Sequence, residues 1–229
     1  RKTIIVEAEE GHQARVTVAD LVIPTEAQVV SITQNGLVRG NAREDRDSVT
    51  LNKPGSRAVE YSLQKIKADP EDSIMMVTNQ GRFWHGNVGR LPQKADFKDL
   101  GLQKDESIVS CEVAQLQDVI IILTKNGHVK RTLVEDCVTA TGENWTTIIG
   151  LTNKQDAVLA AGVAQDDADV IICTSGSSKT DPRMLRFKAG SVNPQSTSSA
   201  KGVAAIKMMD DDLIGASIID NEGYENASA

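Results

Sequence analysis

The sequence predicts an all-β protein, a propeller-like array of small sheets, and three observations carry that expectation. An apolar strand, a turn and a second strand recur four times along 229 residues. The threonine that closes the first strand of each copy, at Thr33, Thr78, Thr124 and Thr174, repeats at intervals of 45, 46 and 50 residues. A second aliphatic strand, introduced by an acidic residue, recurs between the copies. A period of 40–50 residues with about four strands per unit is the pattern of bladed arrays, in which one small sheet cannot bury both faces and neighbours must stack.

Residues 1–27 read as an approach segment and linker strand, 28–220 as the bladed domain and 221–229 as an acidic tail. The first copy is Val29-Val-Ser-Ile-Thr-Gln-Asn-Gly-Leu-Val-Arg39, the second Ile74-Met-Met-Val-Thr-Asn-Gln-Gly-Arg-Phe-Trp84. The third is Val119-Ile-Ile-Ile-Leu-Thr-Lys-Asn-Gly-His-Val-Lys-Arg131, and the fourth opens on Val170-Ile-Ile-Cys-Thr-Ser-Gly176. Asn35-Gly36 and Asn126-Gly127 are strong short hairpin signals and predict type I′ turns; Gln80-Gly81 keeps the glycine. In the fourth copy the polar insert Ser177–Pro182 delays the return strand to about Met184–Phe187. The interposed strands follow Glu106-Ser-Ile-Val109, Asp156-Ala-Val-Leu159 and Asp212-Leu-Ile214. Ala14–Val22 and Leu213–Asp220 could supply strands of a split or partial fifth blade. No stretch shows a long 3.6-residue apolar period, so helices contribute little.

Composition narrows the function. Apolar residues make up 40% and charged residues 25%, an ordinary globular balance, and no apolar run reaches the ~20 residues of a membrane-spanning helix. The first residue is Arg1, and the sequence reads as a piece of a longer protein. Aromatics are only 3%, which speaks against a base-stacking platform for single strands; Phe83-Trp84 and Trp145 are expected between blades. The net charge of −7 disfavours non-specific nucleic-acid binding but leaves room for one basic face. Cys111, Cys137 and Cys173 form no CxxC, and Cys111 and Cys173, in apolar strand-like runs, read as buried hydrophobes in a reducing compartment. The three histidines are scattered, so no zinc site is expected, and no nucleophile–base constellation is evident. Ser175–Thr180 lacks the Gly-Lys pair of a phosphate-binding loop. Asp210-Asp211-Asp212 lacks the spacing of a calcium loop and reads as a solvated turn.

At these phrases the sequence resembles a known family. Leu123-Thr-Lys-Asn-Gly-His-Val-Lys-Arg-Thr132 is similar to the blade hairpin of the C-terminal domain of bacterial type IIA topoisomerase A subunits. Val77–Phe83 with Arg90-Leu-Pro92, Phe97-Lys-Asp-Leu-Gly101, Lys201–Lys207 before Asp210–Asp212, and Val18–Pro24 resemble further phrases of the same domain in the same order, covering about residues 15–220. The resemblance implies a β-pinwheel, in which blades exchange an outer strand. It implies a non-catalytic module that binds and bends double-stranded DNA on a basic rim. Its partners would be the ATPase B subunit and the other domains of the A subunit, in the bacterial cytoplasm and with no membrane. It implies no cofactor in this domain, ATP and Mg being used elsewhere in an ATP-dependent type II topoisomerase, and neither Tyr61 nor Tyr224 matches the family's nucleophile. Gyrase carries a Gly/Arg/Gln-rich box in its first blade. Here that region reads Gly40-Asn-Ala-Arg-Glu-Asp-Arg-Asp-Ser48 and Lys53-Pro-Gly-Ser-Arg57, which favours topoisomerase IV over a gyrase wrapping domain. A propeller-like protein-interaction scaffold is the alternative from another class.

A duplex presents one charge per ~1.7 Å, so its site must be spread cations rather than a pocket. Cations at similar positions on or just after successive return strands are the candidates: Arg39 and Arg43, Arg82 and Arg90, Lys130 and Arg131, Arg183 and Arg186, with Lys201 nearby. The adjacent pair Lys130-Arg131 is the foremost of these.

Overall fold

A computed structural model describes residues 26–33, 35–41, 62–138 and 144–220. Four antiparallel sheets account for almost all of it. The first joins β1 (Gln28–Thr33), β2 (Gly36–Asn41), β3 (Ser62–Ala68) and β6 (Lys94–Asp96) in the order β3-β1-β2-β6. The second joins β4 (Ser73–Thr78), β5 (Arg82–Asn87), β7 (Ile108–Val113) and β10 (Thr146–Thr147) in the order β10-β5-β4-β7. The third joins β8 (Val119–Thr124), β9 (His128–Leu133), β11 (Val158–Val163) and β14 (Val203–Ala204) in the order β11-β8-β9-β14. The fourth has three strands among the described residues, β12 (Asp169–Thr174), β13 (Met184–Lys188) and β15 (Leu213–Ile219). The one α-helix among them, α1, is a single turn at Val134–Cys137.

The middle strands are apolar on both faces because each feeds two cores. Ile74 and Met76 of β4 pack with Val30, Ile32 and Leu37 of the first sheet, while Met75 and Val77 pack with Ile120 and Ile122 of the third. Ile121 and Leu123 of β8 then meet Val170 and Ile172 of β12. Alternation with period two is intact, but both phases end in a seam between sheets, which is why these strands read as unbroken apolar runs. Phe83 and Trp84 take opposite seams, as expected of residues packed between blades. Fully burying one such side chain contributes roughly 1.5–3 kcal/mol.

Each of the first three sheets is finished by its successor. The segment after the second hairpin adds β6 to β2, the segment after the third adds β10 to β5, and that after the fourth adds β14 to β9. These donated strands are only two or three residues long and form the outer edge, where a short strand limits edge-to-edge pairing. The opposite edges, β3, β7, β11 and β15, lie side by side. Gln64 of β3 hydrogen-bonds both backbone groups of Cys111 on β7 (2.8 and 3.0 Å), and Val163 N on β11 donates to Glu112 of β7 (2.9 Å).

The hairpins differ from the expected type I′ turns. Gly81 N and Gly127 N donate to Thr78 O and Thr124 O (3.0 and 2.9 Å), with the glycines at φ +76° and +77°. Asp105 is the sole non-glycine with positive φ among the described residues. Only the last turn residue is therefore left-handed, the pattern of a type I turn followed by a glycine bulge. Gly36 has a different role. A Cβ there would lie 2.0 Å from Ala95 O, in the backbone of β6. Gly36→Ala is expected to expel the donated strand and cost about 2 kcal/mol or more. Gly40→Ala, with nothing within 4 Å of its Cβ, should change stability by less than about 0.5 kcal/mol. Urea denaturation of both variants checks the contrast.

Candidate nucleic-acid interface

The repeated threonine is the pivot of a side-chain clasp. Thr78 Oγ1 donates to Glu106 (2.6 Å) and accepts from Arg82 N (3.2 Å), while Arg82 Nη1 closes an ion pair with Glu106 at 2.7 Å. The guanidinium also lies over Trp145, 5.3 Å from the ring centroid. The fourth sheet repeats the clasp: Arg183 N donates to Thr174 Oγ1 (3.2 Å) and Arg183 Nη2 pairs with Asp211 at 2.7 Å. In the third, His128 stands where the arginine would be, and Asp156 accepts instead from Asn126 N, Thr152 N and Thr152 Oγ1. The acid of the fourth copy is thus Asp211, one residue earlier than the expected Asp212, and it is buried rather than part of a solvated turn. Arg183 and the hydroxyl of Thr174 hold it far below the ordinary carboxylate range. Arg82 and Arg183 therefore serve the fold from within.

A second set of equivalent positions lies on the return strands. Arg39 is opposite Val30, His85 opposite Met75, Arg131 opposite Ile121 and Arg186 opposite Ile171, each partner three residues before the repeat threonine. The first three side chains face the following sheet, and Arg186 lies on the outer face of the last one. Arg131 pairs with Asp166 and reaches Val192 O. His85 Nε2 lies 2.9 Å from Ala114 O. Arg186 pairs with Asp169 on the last sheet, with 58% of its side chain exposed. That arginine, with Lys188 assisting, depresses the Asp169 carboxyl to about 2.

Lys130 corrects the expectation of an exposed cation pair. It is 1% exposed, and Nζ donates to Ile148 O (2.5 Å) and Thr197 O (2.8 Å). Adjacent strand residues point to opposite faces, so Lys130 and Arg131 enter different seams, and Lys130 occupies the inward position that Trp84 holds on β5. Burial pushes its ammonium below the ordinary lysine range. Arg43 lies outside the described residues. Arg90, in the 3-10 turn Val88–Arg90, and Lys201, just before β14, are exposed.

A signal distinct from strand position marks the outer edge. Residues 182–209 carry Arg183, Arg186, Lys188, Lys201 and Lys207 and no acidic residue, in a chain of net charge −7. Residues 73–95, with Arg82, Arg90 and Lys94, are likewise free of acids. Both stretches run from a hairpin to a donated outermost strand. Glu106, Glu112, Asp156 and Asp210–Asp212 lie on or just before the opposite edge strands, whereas Asp96 ends β6 and Glu135 and Asp136 precede β10. Arg90, Lys94, Lys201 and Lys207 are exposed along the outer edge. Lys94 and Lys207 are visible only in this charge pattern, because neither belongs to a hairpin.

Glu112 titrates in the opposite sense to Asp169. Burial raises its carboxyl, and the charge of Asp220 adds to the rise, against hydrogen bonds from Val163 N and Ser110 that lower it. A depressed carboxylate stabilises the fold above its unfolded value and loses that contribution as pH falls through its folded value. A raised one stabilises below its unfolded value and loses that contribution as pH rises through its folded value. Asp169 therefore predicts acid destabilisation between about pH 4 and 2. Glu112→Gln is expected to raise Tm at pH 7 and to leave it unchanged near pH 4, as thermal melts across that range will register.

Stacked antiparallel sheets that pass their outermost strand to a neighbour define the β-pinwheel, the fold of the C-terminal domains of type IIA topoisomerase A subunits. The chain superposes on the C-terminal domain of DNA topoisomerase IV with a TM-score of 0.68 and 19% identity, covering 87% of this chain and 63% of that one. On the DNA gyrase A C-terminal domain the TM-score is 0.60 with 21% identity, covering 83% and 64%. On the E. coli ParC C-terminal domain it is 0.63 with 17% identity, covering 84% and 79%. Homologues by sequence are the DNA gyrase A subunit of Kosmotoga olearia, 22% identical over 86% of this chain, and the DNA topoisomerase 4 A subunit of Staphylococcus epidermidis, 20% identical over 85%. The chain spans about a quarter of the length of these relatives, 26% and 25%. No protein-family model matches it.

Proposed function

We propose that this chain is a non-catalytic DNA-binding domain of a type IIA topoisomerase A subunit, of the topoisomerase IV kind, that holds and bends a duplex along its outer edge. The observation that carries the reading is the separation of charge: acid-free, cation-bearing segments lead to two of the three donated outermost strands, β6 and β14, of a chain that is acidic overall. Phosphate contacts of this kind position a duplex without reading its sequence. Bending 20–30 base pairs by 40–90° costs of order 1–6 kcal/mol, which several such contacts offset. Duplex DNA, the ATPase B subunit and the remaining domains of the A subunit are the partners, in the bacterial cytoplasm. ATP and Mg act elsewhere in the holoenzyme, and this chain needs neither. The topoisomerase IV assignment rests on residues 40–57, which contain no run of paired glycines with arginines.

Religation of a nicked plasmid with the domain bound tests this reading. Binding with an unchanged linking number is the expected result. A domain-dependent shift in linking number reassigns the chain to gyrase-type wrapping. Absence of binding at low salt leaves the protein-interaction scaffold.

A further inference from the structure

We propose that the outer edge of β13 is a docking site for a protein partner, which adds an extended segment carrying an acidic side chain next to an aromatic one. The inference comes from a broken equivalence between the sheets. The outer sides of β2, β5 and β9 are paired by β6, β10 and β14. No strand pairs with the outer side of β13 among the described residues. Met184 shows how far this strand is left uncovered. It stands opposite Cys173 as Leu37, Phe83 and Val129 stand opposite Ile32, Val77 and Leu123. Those three are at most 1% exposed, and Met184 is 73% exposed.

The cavity beside this edge and the charge along it define the occupant. The cavity is about 270 Å³ and is lined by Leu185 and Phe187 of β13, Val129 of β9, Val203 of β14, and Val192. In the second sheet an aromatic residue of the added strand fills the corresponding seam. β10 pairs with Arg82 and Phe83, which sets Trp145, the residue before β10, opposite Trp84. Trp145 packs there into the seam with the first sheet. Leu185 is the counterpart of Trp84, each following the residue opposite the one before the repeat threonine. A void of ~150 Å³ already admits benzene, so the cavity beside Leu185 has room for an aromatic side chain. In an added strand, the residue opposite Leu185 turns to the cavity and its neighbour opposite Arg186 turns to the other face. An acid at that neighbour meets the Arg186 guanidinium at cross-strand distance. Arg186 already pairs with Asp169, yet its side chain is 58% exposed and carries five donors, enough for a second carboxylate. Residues 182–209 contain no acid to repel it. Main-chain pairing at an open edge, with pockets for alternate side chains, is the physics of strand addition. The site does not depend on duplex binding at the outer edge.

The full 229-residue chain and a capped synthetic peptide, Thr-Thr-Val-Glu-Trp-Thr-Thr, test the site. Antiparallel to β13, the peptide sets its valine, glutamate and tryptophan opposite Phe187, Arg186 and Leu185. It is expected to bind and to slow amide hydrogen exchange across Met184–Lys188. Replacing its tryptophan by alanine, or its glutamate by lysine, should each weaken binding at least about tenfold. Val203→Trp fills the cavity from the third sheet and should abolish binding with little change in Tm. The altered peptides leave the domain untouched, so they decide the matter even if Val203→Trp does not fold. Equal affinity for all three peptides, or no binding to the folded chain, overturns the proposal. Protection of Met184–Lys188 in the peptide-free chain also overturns it, by giving the edge to the chain's own residues. So does protection by duplex DNA and not by the peptide.

Discussion

Lys130→Ala is expected to cost about 3 kcal/mol of stability, far more than an exposed DNA-contacting lysine would. The side chain fills a seam between sheets, and its ammonium ties together Ile148 O and Thr197 O, which lie 49 residues apart in the chain. Alanine leaves a cavity and two carbonyls without their donor. Two charge-assisted hydrogen bonds and a buried aliphatic stem are lost, against the recovered cost of desolvating one cation. Lys130→Met separates these effects. It keeps most of the stem and drops the charge, so its loss should stay under about 1.5 kcal/mol. Urea denaturation gives both values. Duplex affinity per folded molecule should be unchanged in Lys130→Met, because a buried ammonium is not presented to a phosphate.

The opposite behaviour is expected at the outer edge. Replacing Arg90, Lys94, Lys201 and Lys207 together by alanine should change stability by no more than about 1 kcal/mol, since all four are exposed. Its effect on DNA should be large. Each phosphate contact releases about one counter-ion, so the slope of log affinity against log salt should fall by about three to four. Loss of binding should be strongest at low salt and independent of sequence. Affinity measurements over a salt series, with circular dichroism on the same samples, check both halves. An unchanged slope in a folded variant would move the duplex away from this edge.

Much of the fold was legible because the hairpins repeat as apolar phrases around a threonine and a glycine. The donated strands were not. β10 and β14 are two residues each, Thr146-Thr147 and Val203-Ala204, and carry no apolar run to read. The partner of each lies in the preceding sheet, which no local pattern encodes. The site was harder still, for a reason built into the stacking. On a half-exposed sheet a strand lysine or arginine points to solvent, and Lys130, Arg131 and Arg183 look alike in sequence. Between stacked sheets neither face is solvent, so strand cations are drawn into ion pairs or carbonyl cages. Exposed charge is left to turns, to donated strands and their flanks, and to the first and last sheets, where Lys65, Lys67 and Arg186 keep solvent access. Arg82 and Arg183 could have been recognised as clasp residues only by pairing Thr78 with Glu106 and Thr174 with Asp211, and the fourth copy hides that pairing among three consecutive aspartates. The uninterrupted absence of acids over residues 182–209 was the readable sign of the outer edge.

Binding of the unaltered chain to a roughly 30-base-pair duplex of arbitrary sequence, measured across a salt series, tests the central claim most directly. Binding is expected at low salt, weakening steeply and linearly on logarithmic axes, and equal for unrelated sequences. A folded chain that binds no duplex at the lowest salt, or binds with no salt dependence, would contradict a duplex held along the outer edge.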